Sequence, residues 1–219
     1  MLLPPYQALF DALLDFATTG REAEAGHARA DYGTWTGEPS DADRSFEART
    51  QAFLDWFCFD RPRDGTTEPP ARLFAEQPGL DPAERQRRRA FARTFHGLFV
   101  VRANLPQAIV VDELCTEARF TAAVSHGPVE GLRRGDLFES RLVPFDGALH
   151  FSSAFLFHPA HLRRAVVKEL RRQREGRAFA NPREFVWLLA RMAIRAEHYK
   201  AYPLSAIYDF ARPPSKVPP

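Results

Sequence analysis

The stretch GLFVVRANLPQAIVVDEL, residues 97–114, decides the fold. Two short β-favouring runs, Leu98 to Arg102 and Ala108 to Leu114, flank an Asn104-Leu-Pro turn, and that pattern suits paired strands. Phe120 to Val124, Leu137 to Val143 and Ala148 to Phe155 repeat it downstream, set apart by His126-Gly-Pro and Phe145-Asp-Gly. Five such runs in under 60 residues predict a strongly curved antiparallel sheet or small barrel of SH3-like or OB-like size. Pro144-Phe-Asp-Gly147 is expected to close a hairpin between two of the strands.

Outward from this segment the spacing becomes helical on both sides. Leu9, Phe10, Leu13, Leu14 and Ala17 share one helical face, and Gly20 supplies a stop. A second helix runs through Glu22 to Tyr32 and breaks at Gly37-Glu-Pro-Ser. A third, capped by Ser40 or Asp41, carries Phe46, Phe53, Leu54 and Phe57 inward and ends near Arg61-Pro62. Residues 61–70 read as a turn-rich connection, followed by a short helix at Ala71 to Glu76. Asp81-Pro82-Ala83-Glu84 combines a cap, a proline at the first helical position and a glutamate at the third, so it opens a helix reaching about His96. Ala90, Phe91, Thr94 and Phe95 should face in there, while Arg85, Arg87, Arg88 and Arg89 stay solvated.

Helical spacing returns after His158-Pro159, where Leu162, Ala165, Val166, Glu169 and Leu170 form a stripe. Asn181-Pro182-Arg183-Glu184 opens another helix, and Phe185, Leu188, Leu189, Met192 and Tyr199 continue its buried side. The proline-rich tail from Arg212 is expected to lie extended. The chain therefore reads as an α+β protein. A helical segment (1–96) precedes a small antiparallel five-stranded β-module (97–157), and C-terminal helices with the tail (158–219) complete one or two domains.

Composition narrows the class. With 45% hydrophobic and 26% charged residues, disorder, collagen and coiled coil are excluded. Nineteen Phe against two Met predict a dense, rigid core rather than an adaptable groove. No run approaches the roughly 20 apolar residues of a membrane-spanning helix, and the start lacks a basic region and a small-residue cleavage site, so a cytoplasmic location is expected. Cys58 and Cys115 sit among apolar neighbours and read as structural thiols. The net charge of +2 hides a gradient. Residues 1–60 hold eleven Asp/Glu against four Arg, whereas residues 158–200 hold eleven Arg/Lys against four Glu, so the two ends should attract each other.

Signatures of chemistry are sparse. His150, His158 and His161 lack the i, i+4 spacing of a helical ligand pair and have no carboxylate or thiol cluster beside them. Ser152-Ser153 lacks the glycines of a nucleophile elbow. Ser125, His126 and Asp112 make a catalytic set only by selection among seven histidines, and Gly127, Gly131 and Gly135 match no phosphate-binding fingerprint. Neither a metal nor a cofactor is expected. The cations offer more: Arg85, Arg87, Arg88 and Arg89 on one helix, Arg164, Lys168, Arg171 and Arg172 on another, and Arg133 and Arg134 at the rim of the β-module, beside Asp136, Arg141 and Asp146. They suit a non-catalytic interaction or regulatory protein that recognises a protein partner or its own copy. An RNA or DNA backbone is the alternative partner.

Three stretches carry a family resemblance: Phe53-Leu-Asp-Trp-Phe-Cys-Phe-Asp-Arg-Pro62, His96-Gly-Leu-Phe-Val-Val101 and Gly135-Asp-Leu-Phe-Glu-Ser-Arg-Leu-Val-Pro144. In these the chain resembles uncharacterised bacterial proteins, some of which also carry a SEC-C zinc motif. That motif is missing here, so zinc does not carry over. The resemblance implies a helical segment followed by a compact β-module and no particular activity. On the residues themselves, Trp56, Phe57 and Phe59 are expected to plug the junction between helix and β-module, with Asp60 and Arg61 tying down the helix end.

Overall fold

Among the described residues, alternating side chains across the middle third of the chain produce six strands, β1 (Phe95–Asn104), β2 (Ala108–Glu113), β3 (Arg119–Ala123), β4 (Leu137–Phe145), β5 (Ala148–Phe151) and β6 (Leu156–His158). The computed structural model describes residues 4–124, 131–176 and 182–211. Ser125, His126, Gly127, Asn181 and the tail from Arg212, invoked above, lie outside them. Every pairing is antiparallel, in the order β3-β2-β1-β4-β5. The short β6 shares an edge of β4 with β5: it lies against Leu137 to Glu139, while β5 lies against Leu142 to Phe145. The sheet curls until β3 approaches β5, which makes it a half-barrel. Asp146 and Gly147 both take positive φ between β4 and β5, the two-residue turn whose twist matches its strands.

Phenylalanine fills the concave side. Phe99 lies 5.7 Å from Phe138 and 5.3 Å from Phe151, ring centre to ring centre, and Val101, Ile109, Val111, Leu132 and Leu142 close around them. Each such ring pair contributes about 0.5–1.5 kcal/mol beyond the area it buries. The opposite face of the sheet carries the helices. These are α1 (Gln7–Thr18), α2 (Glu22–Thr36), α3 (Phe46–Phe59), α4 (Pro70–Ala75) and α5 (Pro82–Phe91) before the sheet, then α6 (Arg163–Gly176), α7 (Pro182–His198) and α8 (Leu204–Ile207) after it. One core joins Leu9, Phe10, Leu13, Phe57, Phe59 and Phe91 to Val143 and Phe145 of β4. A second joins Leu162, Val166, Leu170, Phe185 and Leu189 to Leu98, Val100 and Leu137. Both rest on β4.

Local signals explain the boundaries. Asp81 caps α5 by accepting from the amides of Ala83 and Glu84 at 2.9 Å. The α2 helix runs on past Tyr32 to Thr36 and stops at Gly37, whose φ is +84°. Residues 41–45 form turns instead of the helix start expected from Ser40 or Asp41, because Asp43 accepts from the Ser40 amide at 2.7 Å. The α3 helix therefore begins at Phe46. The α5 helix ends at Phe91, five residues short of His96, because Phe95 and His96 are drawn into β1 opposite Leu142 and Arg141. Tertiary pairing overrides helical spacing there. Ala90, Ala165 and Tyr199, expected inside, are exposed.

The attraction between the chain ends acts through α7. His198 lies 2.9 Å from Asp43, and Arg183 pairs with Asp60 at 2.7 Å. Asp60 also binds Arg141 of β4, in a pair buried on both sides, and the Arg141 guanidinium sits 5.3 Å from the Phe59 ring centre. Arg141 is thus a buried clamp between α3 and the sheet and not part of an exposed rim. Trp56, Phe57 and Phe59 are buried at this junction, as expected.

Candidate functional site

A bulge in β1 begins the site. The register against β2 slips between Val101 and Ala103, so Arg102 is the extra residue, and a bulge of this kind re-aims its side chain. Arg102 points outward and binds Asp112 at 2.6 Å, which also holds Arg119 at 2.7 Å. Beside it runs a groove of about 340 Å³ between α6 and the β1/β2 strands. Val100, Leu114, Val167 and Leu170 line it, with Arg102, Arg163 and Arg171 and the carboxylates Asp112, Glu113 and Glu117 around them. Next to this groove, Arg164, Val167, Lys168, Arg171 and Arg172 form a shallow furrow along the solvent side of α6.

The loop before β4 joins this surface. Asp136 accepts from the Arg133 amide at 2.6 Å, and Arg163 of α6 reaches the carbonyl of Gly135 at 3.4 Å. These bonds set Arg133 and Arg134 beside the start of α6. Arg133, Arg134, Arg164, Lys168 and Arg171 are exposed, and none of them forms an ion pair among the described residues. Arg172 is engaged, bonding Glu169 at 2.8 and 2.6 Å.

The other arginine helix is neutralised where it stands. Arg89 makes two bonds to Glu76, at 2.6 and 2.8 Å, and Arg85 approaches the same carboxylate at 3.4 Å. Arg88 binds Glu84 and Gln77 and covers the Phe74 ring at 3.8 Å. Arg87 lies 3.6 Å from Asp146 and 4.8 Å from the Phe145 ring centre. These contacts place α5 at the Phe145 end of β4, whereas α6 packs at the Leu137 end. Eight steps of about 3.3 Å separate the two ends by roughly 25 Å. The two arginine helices do not make one face, and the acidic N-terminal residues are not what covers α5.

A polar layer invisible to the sequence reading lies between sheet and helices. Leu137, Glu139, Arg141 and Val143 share one side of β4, so a glutamate and an arginine enter an otherwise apolar interior. Glu139 is buried with both carboxylate oxygens unbonded, and burial pushes its pKa up to about 8 against a weaker opposing pull from Arg49. His96, 4.0 Å away, and His158, bonded to the Tyr208 hydroxyl at 3.3 Å, are held down to about 3 by burial. All three are neutral at pH 7. Burial likewise lowers the pKa of Arg49 and raises those of Asp55, Tyr32 and the Cys58 thiol. Arg49 bonds Ser45 Oγ at 2.8 Å through Nε and the Ala190 carbonyl at 2.8 Å through Nη2, with a 3.5 Å contact from Nη1 to the Thr36 carbonyl. The only sequence sign of this layer is a charge at every second position in Glu139-Ser-Arg141.

The three histidines raised as ligands are not gathered. His150 lies tilted against Tyr6, His158 is buried beside Tyr208 and His161 is exposed. Among the described residues no group of three or more His, Cys, Asp or Glu could hold a metal ion, and no helix is long and apolar enough to cross a membrane.

Fold and site together define an α+β half-barrel protein with a cationic furrow along α6. The model of a family of unknown function, DUF7986, matches residues 38–184, more than half of the chain, and the chain belongs to that family. No curated protein and no solved structure matches it.

Proposed function

We propose that the protein is a non-catalytic interaction module that recognises a protein partner, by seating an acidic, apolar-anchored segment in the groove between α6 and β1/β2. One observation carries this reading. Five cations without ion-pair partners among the described residues gather on one side of α6 and its neighbouring loop, beside a groove with an apolar lining. Val100, Leu114, Val167 and Leu170 match an apolar anchor, and Arg163, Arg171, Lys168, Arg164, Arg133 and Arg134 match acidic flanks. Complementary charge of this kind steers encounter and sets register. The exposed aromatic side chains Phe157, Tyr199 and Tyr202 do not line the groove or the furrow, so they provide no base-stacking platform there.

A random peptide library panned against the full chain tests the reading. Wild type should enrich peptides that join acidic residues to an apolar anchor. A variant carrying Arg164→Glu, Lys168→Glu and Arg171→Glu should lose them, and one carrying Arg85→Glu and Arg89→Glu should keep them. Peptides retained by the α6 variant would reject the groove. If instead labelled oligonucleotides bind, and their affinity falls steeply between about 50 and about 200 mM salt, the partner is a nucleic acid.

A further inference from the structure

Beside the first two turns of α3, a cavity of about 320 Å³ opens between α2 and α3. The small residues Gly26, Ala30, Gly33 and Gly37 of α2 and its C-terminal stop leave the space, and Phe53, Leu156, Pro39 and the Tyr32 ring give it apolar walls. Its polar wall is unusual. Arg49, only 4% exposed, lines the cavity, and no carboxylate lies within ion-pair distance of it among the described residues. A guanidinium has five N–H donors. Two of those in Arg49 make firm bonds and one makes the long contact to Thr36, which leaves capacity on the Nη1/Nη2 edge. Thr50 Oγ1, from a residue on the cavity wall, is buried without a hydrogen-bond partner among the described residues.

We propose that this cavity binds a small organic carboxylate with an apolar body, its carboxylate on the Nη1/Nη2 edge of Arg49 and the Thr50 hydroxyl, and its body against Phe53 and Leu156. A carboxylate meets a guanidinium edge through two parallel bonds, and it supplies the anion that an unpaired buried cation lacks. The polar layer behind Leu156 agrees with this, because Glu139, His96 and His158 are neutral, and the carboxylates whose fields reach Arg49, Glu197 and Asp43, lie beyond ion-pair distance of it. The volume matches the lower end of small-molecule sites. At the mouth, Arg29, stacked 5.6 Å over Phe53, stands with Glu38.

Calorimetric titration of the full chain with hexanoate, and with hexanol as a neutral isostere, tests the assignment. Hexanoate should bind at least about tenfold more tightly than hexanol, the difference expected for one hydrogen bond to a charged group. Arg49→Met should erase that preference. A Gly26→Leu/Ala30→Leu double variant gives an independent check, since both positions are exposed on a helix and leucine is a strong helix former. It should keep or raise the melting temperature while abolishing hexanoate binding. A flat hexanoate titration, equal affinity for hexanol, or undiminished binding in the obstructed variant would each overturn the proposal. Loss of peptide binding through the α6 groove would leave it standing.

Discussion

Glu139 shows how one side chain sets a pH profile. It faces Arg49 from α3, His96 from β1, Tyr32 from α2 and Tyr208 beyond α8, and its pKa is raised from 4.5 to about 8. The folded protein keeps this proton where the unfolded chain releases it. The associated stability is therefore complete below about pH 4.5 and is lost as pH climbs to about 8. A Glu139→Gln variant should match wild type near pH 4.5 and exceed it progressively above, by roughly 4 to 5 kcal/mol at pH 8, read from denaturant midpoints across that range. His96 and His158 act in the opposite sense, since their depressed values give stability above about 6.5 that fades toward about 3. The Asp60–Arg141 pair makes a separate case. Removing one partner strands a buried charge, so Asp60→Asn should cost about 3–5 kcal/mol. The Asp60→Ala/Arg141→Met double variant should lose clearly less than the sum of its single changes. An additive double variant would mean that the pair is not coupled.

At the level of single elements, the end of α2 is set by a close approach. A Cβ on Gly37 would meet the Ile194 side chain of α7 at 2.6 Å, with φ already at +84°. Gly37→Ala should therefore destabilise by roughly 2–4 kcal/mol, combining left-handed strain with overpacking, and Ile194→Ala should restore part of that loss in a thermal melt. A glycine-proline break is visible in the sequence, but its neighbour on α7, 157 residues away, is not. The two arginine helices teach the same lesson. In sequence both read as basic, amphipathic and solvent-facing, and the difference between them lies in what the fold brings near. Glu76 and Asp146 reach α5, whereas α6 meets the cationic Arg133-Arg134 loop.

Across the whole molecule, what could be read in advance was whatever depends on neighbouring residues. The strand runs from Leu98 to Phe151, the Asp146-Gly147 turn and the Asp81 cap all follow from local backbone preference, whereas the run expected to continue to Phe155 stops at Phe151 and a short sixth strand, Leu156–His158, follows it. The half-barrel with helices on either side in sequence followed from them. Contacts between distant segments were hidden. Arg49 meets Ala190, and Glu139 is surrounded by groups from α2, α3, β1 and the chain beyond α8, so neither the cavity nor the buried polar layer has a sequence motif. Arg133 and Arg134 were recognisable as a rim, but their union with α6 needed the Arg163 to Gly135 bond. One further property follows from the way β5 and β6 divide a single edge of β4 between them. The gap at residues 152–155 interrupts the row of outward amides, and the opposite margin of the sheet is a strand of only five residues. Among the described residues a neighbouring molecule finds no long, flat template to extend, which disfavours fibril growth by strand addition.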